Sequence, residues 1–405
     1  VRQRRVPTKR YAMKLLYIAN ARIPTEKAHG LQIMQNCEAF ADAGADVTLW
    51  AAARHNTPEL RSVRDSFAHY GVQPKFRLLR LPCIDLMPFV PDRADALARL
   101  IFWLQMATFA LSALIASRFA RADVIYSRDA AVLLLLSVVT PRRKLAYEAH
   151  TWNGGILERH ALRRVGSIFT TTRKLADDAI AAGADAARVQ VAHDGIRAGR
   201  FANLPDRDAA RREIGWTTQK FVVGYVGRLH TMGMDKGVGL LVEAIAQPSG
   251  FALALVGGPD DMAAALREQW RARGGADADF LYAGHIPAER VPLYLRAFDV
   301  CAMPLPYTEH FAHYASPMKL FEYMAAARPL VASDLPSTRE VVTDGDTALL
   351  YPAGDAAALR IALDRLRVDP VLRGELAAHA RALAFERYTW DARAAMIMKV
   401  LRAAC

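Results

Sequence analysis

The sequence predicts an α/β chain of two Rossmann-like, doubly wound domains facing across a cleft. Short apolar runs of strand length alternate with helical stretches, the pattern of parallel sheets covered on both faces. The alternation breaks after Arg200 and restarts at Phe221 with runs of the same kind. At 405 residues, with 53% of them hydrophobic, the chain is too long for one ordinary domain and too apolar to be disordered. Two such domains imply a cleft lined by the carboxyl ends of both sheets.

The elements follow in order. Residues 1–12 are basic and irregular and are expected to lie outside the fold. Lys14–Asn20 reads as the first strand, followed by a loop through Gly30 and a helix over Leu31–Ala43. Further strands are expected at Val47–Ala51, Phe76–Leu81, Val124–Tyr126, Lys144–Tyr147, Ser167–Thr171 and Val189–Ala192. The stretch Asn203-Leu-Pro-Asp-Arg-Asp208 reads as a linker, placing an N-terminal domain at 13–203 and a C-terminal domain at 204–387. The second domain repeats the pattern at Phe221–Gly227, Ala252–Val256, Phe280–Tyr282, Val300–Met303 and Leu330–Ala332. A final helix, within about 388–405, fits either half, including a return onto the first domain.

Charge is uneven. Residues 1–200 carry 30 Lys and Arg against 17 Asp and Glu, and residues 201–405 carry 23 against 24. A basic half attracts phosphates, anionic membrane surfaces or nucleic acid. No nucleic-acid-binding motif or aromatic-interleaved basic stripe is present, so nucleic acid is not expected as a partner. The apolar run Leu100–Ala116, between Arg99 and Arg118, is interrupted by Gln105, Thr108 and Ser112 and sits at the bottom of the membrane-spanning range. It is expected to form a long, mostly buried helix, with peripheral contact to an anionic membrane left open. Cys37, Cys83, Cys301 and Cys405 show no CxxC spacing and read as reduced thiols of a cytoplasmic protein, with no metal site.

Two segments carry candidate chemistry. In Gly224–Gly237 a strand ends at Gly227, and Arg228 and Lys236 follow on the loop. Cations that close repel one another unless an anion joins them, and a nucleotide diphosphate meets that need. The alternative is two solvated loop cations. The P-loop pattern GxxxxGK[ST] is absent. In Ser316–Asp334, Ser316 fits an N-cap and Pro317 the first helical position, leaving first-turn N–H groups for a phosphate. Lys319 and Glu322 then lie one turn apart, a cation for a diphosphate beside a carboxylate for a ribose diol. As a plain solvated pair they would contribute only about 0.2–0.5 kcal/mol. Pro329 stops the helix ahead of a strand.

Taken together, these segments resemble the donor site of glycosyltransferase family 4, the glycosyl transferase group 1, which has the GT-B fold. The resemblance runs from Met13 to the final helix. It implies Arg228 and Lys236 on the donor diphosphate and Glu322 on the ribose, with Met318 and Lys319 on the same donor helix. It implies that Gly30, in Ile23–Ile33, approaches the donor phosphate. In Tyr147-Glu-Ala-His150-Thr, His150 would border the reacting sugar as the catalytic residue. Ile286 belongs to a segment whose backbone would read the base. Val191–Gly195 resembles the family's interdomain segment.

The activity so implied is a metal-independent, retaining transfer of a hexose from a nucleotide-sugar donor, with no cofactor. The acceptor would be a glycan, a lipid-linked intermediate or a small molecule, in bacterial polysaccharide or glycolipid biosynthesis. A cytoplasmic protein, peripheral at the inner face of the membrane, is the expected setting. Two departures stand out. Tyr314 replaces the glutamate usual eight residues before Glu322, and Ala327 stands where glycine often precedes the proline. A left-handed Ala327 would cost about 1 kcal/mol. A sugar-nucleotide epimerase of the same fold and a non-catalytic nucleotide-sugar-binding protein remain the competing readings.

Overall fold

The computed structural model describes residues 12–90, 95–231, 233–247 and 250–404. Residues 1–11 of the expected extension, and Cys405, lie outside the described residues. The chain divides into two compact units. The first comprises the chain to Thr170, Ala176–Ala192 and the residues from Ala394 onward; the second comprises Thr171–Leu175 and His193–Arg393.

The first unit holds seven parallel strands: β1 (Met13–Ala19), β2 (Ala45–Ala52), β3 (Arg77–Leu81), β4 (Val124–Ser127), β5 (Leu145–Ala149), β6 (Ser167–Thr170) and β7 (Val189–Val191). Their order is β3-β2-β1-β4-β5-β6-β7, so the strand succession reverses between β1 and β4, the switch point of the sheet. Every residue of β4, β5 and β6 is buried, which is why these strands read as continuous apolar runs. Tyr126 anchors one layer, with ring centroids 5.1 Å from Tyr17, 5.4 Å from Phe40 and 5.9 Å from Phe169. The helix after β1 begins at Ala28, ahead of the expected Leu31, and takes Gly30 into its first turn. A β-carbon on Gly30 would lie 2.4 Å from Tyr70 Oη and 2.5 Å from Thr25 Cγ2. The Tyr70 hydroxyl is held there because it accepts from Thr25 N–H at 2.6 Å and donates to the Thr25 carbonyl at 3.0 Å.

The helix Asp95–Ser117 corrects an expectation. It is the one described helix long and apolar enough to cross a membrane, yet only 22% of its apolar window is buried. The polar interruptions are what attach it to the unit. Gln105 exchanges hydrogen bonds with Asn20 at 2.8 and 3.0 Å, Thr108 Oγ1 accepts from Ile84 N–H at 3.0 Å, and Ser112 donates to the Pro82 carbonyl at 2.7 Å. Those residues share the inner face with Phe109 and Ala113, leaving Leu100, Trp103, Leu104, Leu111 and Ile115 exposed.

The second unit holds β8 (Phe221–Val226), β11 (Phe251–Val256), β12 (Phe280–Tyr282), β13 (Val300–Met303), β14 (Leu330–Ser333) and β15 (Leu349–Tyr351) in one parallel sheet. Its order is β12-β11-β8-β13-β14-β15, with the reversal between β8 and β13. An antiparallel pair, β9 (His230–Thr231) and β10 (Met234–Asp235), lies apart from it. The short β9 and β10 carry no apolar run that reads as a strand, whereas β15, Leu349-Leu-Tyr351, is a short apolar run absent from the expected strands.

The unit boundary also differs from the expected linker at 203/204. The chain enters the second unit at His193, because Ile196 and Phe201 are buried in that unit's core. Ile196 N–H bonds the Tyr388 carbonyl at 2.8 Å and Trp390 N–H bonds the Ile196 carbonyl at 3.0 Å, so entry and exit strands run side by side. The helix Trp390–Ala404 then passes to the first unit from Ala394, where Arg402 Nη2 donates to the Ala43 carbonyl at 2.8 Å.

The crowding around Gly30 has a measurable consequence. Gly30→Ala should destabilise the first unit by about 1–3 kcal/mol, the usual penalty for an extra methyl in a full site. Thermal unfolding followed by circular dichroism reads this, and an unchanged melting temperature would contradict the packing account.

Candidate functional site

In the second unit the site begins where β8 ends. β13 pairs with β8 only through Val223 and Gly224, so the two strands part toward their carboxyl ends. The hydroxyl of Tyr323 fills that place: it accepts from Val226 N–H at 2.8 Å and donates to the Val226 carbonyl at 3.1 Å. Tyr323 is fully buried in the helix Met318–Ala325, so its hydroxyl locks that helix to the end of β8. One turn earlier on the helix sits Lys319, and beside Tyr323 sits Glu322, whose carboxylate pairs with Lys319 Nζ at 2.6 Å.

The loop after β8 brings two more cations. Tyr225 donates to the Arg228 carbonyl at 2.8 Å, Leu229 N–H bonds the Gly258 carbonyl at 2.9 Å, and Lys236 N–H returns to the Leu229 carbonyl at 3.0 Å. Gly237 follows at φ 74°, and a β-carbon there would lie 2.1 Å from the Pro304 carbonyl oxygen, so only glycine lets the loop press this closely on the end of β13. The adjacent carboxylate of Asp235 accepts from Gly237 N–H. Neither Arg228 nor Lys236 makes an ion pair among the described residues. Burial, then Lys319, then Arg228 push the Lys236 ammonium below its ordinary pKa. The three cations therefore feel one another.

Around this cluster the chain makes a π-helical turn over His310–Tyr314, with Ala315 N–H bonding the His310 carbonyl at 2.9 Å. Ser337 Oγ fixes the turn by donating to the Phe311 carbonyl at 2.6 Å. His310 titrates below its ordinary range, through burial first and Lys236 second. Tyr314 lies under the Lys174 ammonium, 5.5 Å from the ring centroid. Ile286, in the loop after β12, is half-buried against the same core as Met303, and Met318 opens the helix Met318–Ala325, half-buried.

Two local expectations change here. Ser316 is not the N-cap: the helix starts at Met318 after Pro317, and Ser316 Oγ instead accepts from Asp194 N–H at 3.4 Å. Ala327 is left-handed at φ 52°, the non-glycine exception among described residues, with Arg296 Nη1 bonding the Ala326 and Ala327 carbonyls at 3.0 and 3.2 Å.

In the first unit His150 follows β5 directly. Its Nε2 lies 2.8 Å from Oε1 of Glu148, a carboxylate that is 2% exposed. Glu148 Oε2 also accepts from the Tyr17 hydroxyl at 3.1 Å and Asn36 Nδ2 at 3.5 Å. A buried carboxylate on Nε2 selects the tautomer protonated there and makes Nδ1 an acceptor. His150 lines a cavity of about 750 Å³ at the switch point of this sheet, with Asn20 from the end of β1 and Arg128 from the end of β4. Gly30, by contrast, is explained by its packing on Tyr70, so its presence is not by itself a sign of phosphate approach.

The residues that sequence reasoning missed are the ones that position others. Glu148 stood within a motif already singled out, and an acid inside an apolar strand was a usable signal. Tyr323 looked like one more apolar helix residue. His310 depends on a π turn, and no local pattern announces one. Arg128 follows a strand end, which marks it only once the switch point is known.

Residues 220–369 match the family described as Glycosyl transferases group 1. Among curated proteins, the phosphatidyl-myo-inositol mannosyltransferase of Mycobacterium leprae is 31% identical over 212 residues, covering 51% of this chain and 53% of that protein. The 2-deoxystreptamine N-acetyl-D-glucosaminyltransferase of Streptomyces fradiae is 32% identical over 207 residues, covering 50% and 47%. This chain thus spans about half the length of the curated relatives it matches. Among solved structures, Anabaena HepE in complex with UDP aligns with a TM-score of 0.70 at 18% identity over 96% of this chain and all of that one. The sucrose-phosphate synthase of Thermosynechococcus elongatus aligns with a TM-score of 0.72 at 18% identity, over 96% and 98%. Likeness at this identity is likeness of fold. Over residues 220–369 the chain is thus similar to the group 1 glycosyl transferases, and its two parallel sheets are those of the GT-B fold.

Proposed function

We propose that the protein transfers a hexose from a nucleotide-sugar donor to an acceptor hydroxyl, with retention and without a metal. The observation that carries this reading is the mutually repelling set Arg228, Lys236 and Lys319 at the end of β8. A diphosphate leaving group gathers negative charge as the glycosidic bond breaks. Preorganised cations at that position stabilise the transition state more than the ground state. Glu322, half-buried beside them, is the acceptor for a ribose diol, and Met318 and Ile286 border the nucleoside. His150, oriented by Glu148, is assigned to the reacting sugar. Tyr314 takes no part as a carboxylate, so donor-sugar contact falls to other groups.

The relatives' printed activities, mannosyl and N-acetylglucosaminyl transfer, favour a hexose-type donor. Retention rests on the family resemblance. The metal-free reading is supported by where the chain's Asp-x-Asp triplets lie. Asp206 caps a helix and Asp208 pairs with Arg207; Asp277 pairs with Arg271 and Asp279 with Lys220; Asp344 accepts from Leu350 N–H and Asp346 faces His379. Each triplet is occupied away from the cation cluster. Bacterial polysaccharide or glycolipid synthesis remains the setting that fits, on the cytoplasmic side.

Product analysis with a panel of nucleotide sugars and acceptors is the deciding experiment. Transfer that persists in excess chelator supports the reading. Inversion of the hexose without transfer would assign the epimerase class, and nucleotide binding with neither product would leave a binding protein. Arg228→Ala and Glu322→Ala should each weaken nucleotide binding or turnover by roughly tenfold or more, as expected for lost charge-assisted bonds. His150→Ala should lose turnover while keeping nucleotide affinity.

Lys236 gives a pH test whose sign is fixed. Its folded-state pKa lies below the ordinary 10.5, so the fold carries a penalty for the charged amine at neutral pH. That penalty fades as pH rises through the depressed pKa. Bound diphosphate reverses the preference, so nucleotide affinity should fall as pH rises through the same window, with proton uptake on binding there. Lys236→Met should raise the melting temperature of the free protein and abolish the shift produced by UDP or GDP. A lower melting temperature without nucleotide would refute the repulsion.

A membrane contact belongs to the same reading. The outward leucines of Asp95–Ser117, with exposed Arg99, Arg118 and Phe119 nearby, suit shallow insertion at an anionic surface. Wild-type protein should sediment with vesicles containing phosphatidylglycerol, less so as salt increases, and Leu111→Glu with Ile115→Glu should abolish sedimentation.

A further inference from the structure

The cavity of the first unit carries a charge arrangement that transfer to a hydroxyl does not itself require. One wall is apolar, built from Phe102, Trp103, Met106 and Ile156. Two carboxylates reach the cavity, and both are occupied by backbone donors. Asp129 accepts from Asn20 N–H at 2.7 Å, and Glu158 accepts from Asn153 and Gly155 N–H at 3.1 and 3.4 Å. Arg128 is the lining cation, and it makes no hydrogen bond or ion pair among the described residues. His29, also on the wall, is pushed down to a pKa of about 4 by burial and by Arg128, so it is neutral at pH 7 and adds no charge.

A half-buried guanidinium against apolar walls is expensive to leave unpaired, and its planar fork matches a phosphate or carboxylate. We propose that this cavity receives an anionic amphiphile as acceptor, its phosphate-type group on Arg128 and its apolar chain along Phe102, Trp103 and Ile156. Trp103 is 51% exposed and lies on the helix beside exposed Leu100 and Leu104. A chain leaving the cavity therefore meets a continuous apolar face and not bulk water. The ligand's role as acceptor rests on the glycosyl-transfer reading; the site itself does not.

The test titrates the full chain with decyl phosphate, decyl glucoside and butyl phosphate, each below its micellar concentration, by calorimetry. UDP and GDP are titrated in parallel. Decyl phosphate should bind most tightly. Arg128→Gln should weaken decyl phosphate by roughly tenfold to a hundredfold and leave decyl glucoside unchanged, the loss expected for one charge-assisted contact. Arg128→Lys should recover part of it, and Trp103→Ala should weaken both ten-carbon probes. Nucleotide affinity should be unchanged in all three variants, which also reports that they are folded. Decyl phosphate binding equally well to Arg128→Gln would overturn the anion assignment, and butyl phosphate binding as tightly as decyl phosphate would overturn the amphiphile. Selective decyl phosphate binding without any nucleotide binding would uphold the cavity while removing the donor reading. Nucleotide binding without any probe selectivity would do the reverse.

Discussion

Three cations held against their mutual repulsion at the carboxyl end of β8 set the terms for the second unit. Burial and the two neighbouring cations disfavour the Lys236 ammonium, while Lys319 is offset by its pair with Glu322. Tyr323 fixes the helix at this strand end by bonding both polar groups of Val226, and Gly237 allows the loop to sit on the Pro304 carbonyl. Both devices exist because β13 leaves β8 after Gly224, which frees the end of the central strand for a side chain. The parting of the strands, the clamp and the cluster are thus one construction. Such stored repulsion costs stability in the free protein and is relieved by an anion, a common pattern at functional sites.

The first unit solves a different problem with the same economy. A helix as apolar as Leu100–Ala116 would be expected to bury its apolar stripe. Here the polar side chains face inward, because Gln105, Thr108 and Ser112 satisfy loop and strand-end groups that the sheet leaves unpaired. Asn20, pinned by Gln105 through its side chain and by Asp129 through its backbone, ties this helix to the switch point. The outward leucines follow from that choice. The apolar surface and the cavity therefore share a cause.

Most of the architecture was legible because both sheets are parallel and buried on both faces. Runs such as Val124–Tyr126 and Ala252–Val256 admit hardly any other assignment. What escaped was set by tertiary contact. The unit boundary lies before the expected linker at Asn203–Asp208 because Ile196 and Phe201 find a core, and composition around Asn203 cannot register that. The burial of Asp95–Ser117 was misjudged because hydropathy counts apolar residues without saying which face the polar ones must serve. At the site, Arg228, Lys236, Lys319 and Glu322 were readable as charges at strand and helix ends. Their coupling was not, since it depends on Tyr323 and on the divergence of two strands.

Net charge was the weakest guide, and the second unit explains why. Residues 201–405 are almost neutral in sum, 23 positive against 24 negative, yet they hold the cation cluster. The acids are spent at the other end of the sheet. Asp299, just before β13, takes Arg207 at 2.7 Å, Arg211 at 2.6 Å and Val222 N–H at 2.7 Å; Asp279, just before β12, takes Lys220. Pairing of charge at the amino edge leaves Arg228 and Lys236 uncompensated at the carboxyl edge. The field a phosphate meets is set by that segregation along the strands, which a sum over the chain averages away. In the first unit Arg128 is likewise left without a direct partner among the described residues, because Asp129 and Glu158 accept from backbone N–H groups, although its charge still acts on Asp129. In each unit the backbone and the edge contacts decide which cations remain available to an anion.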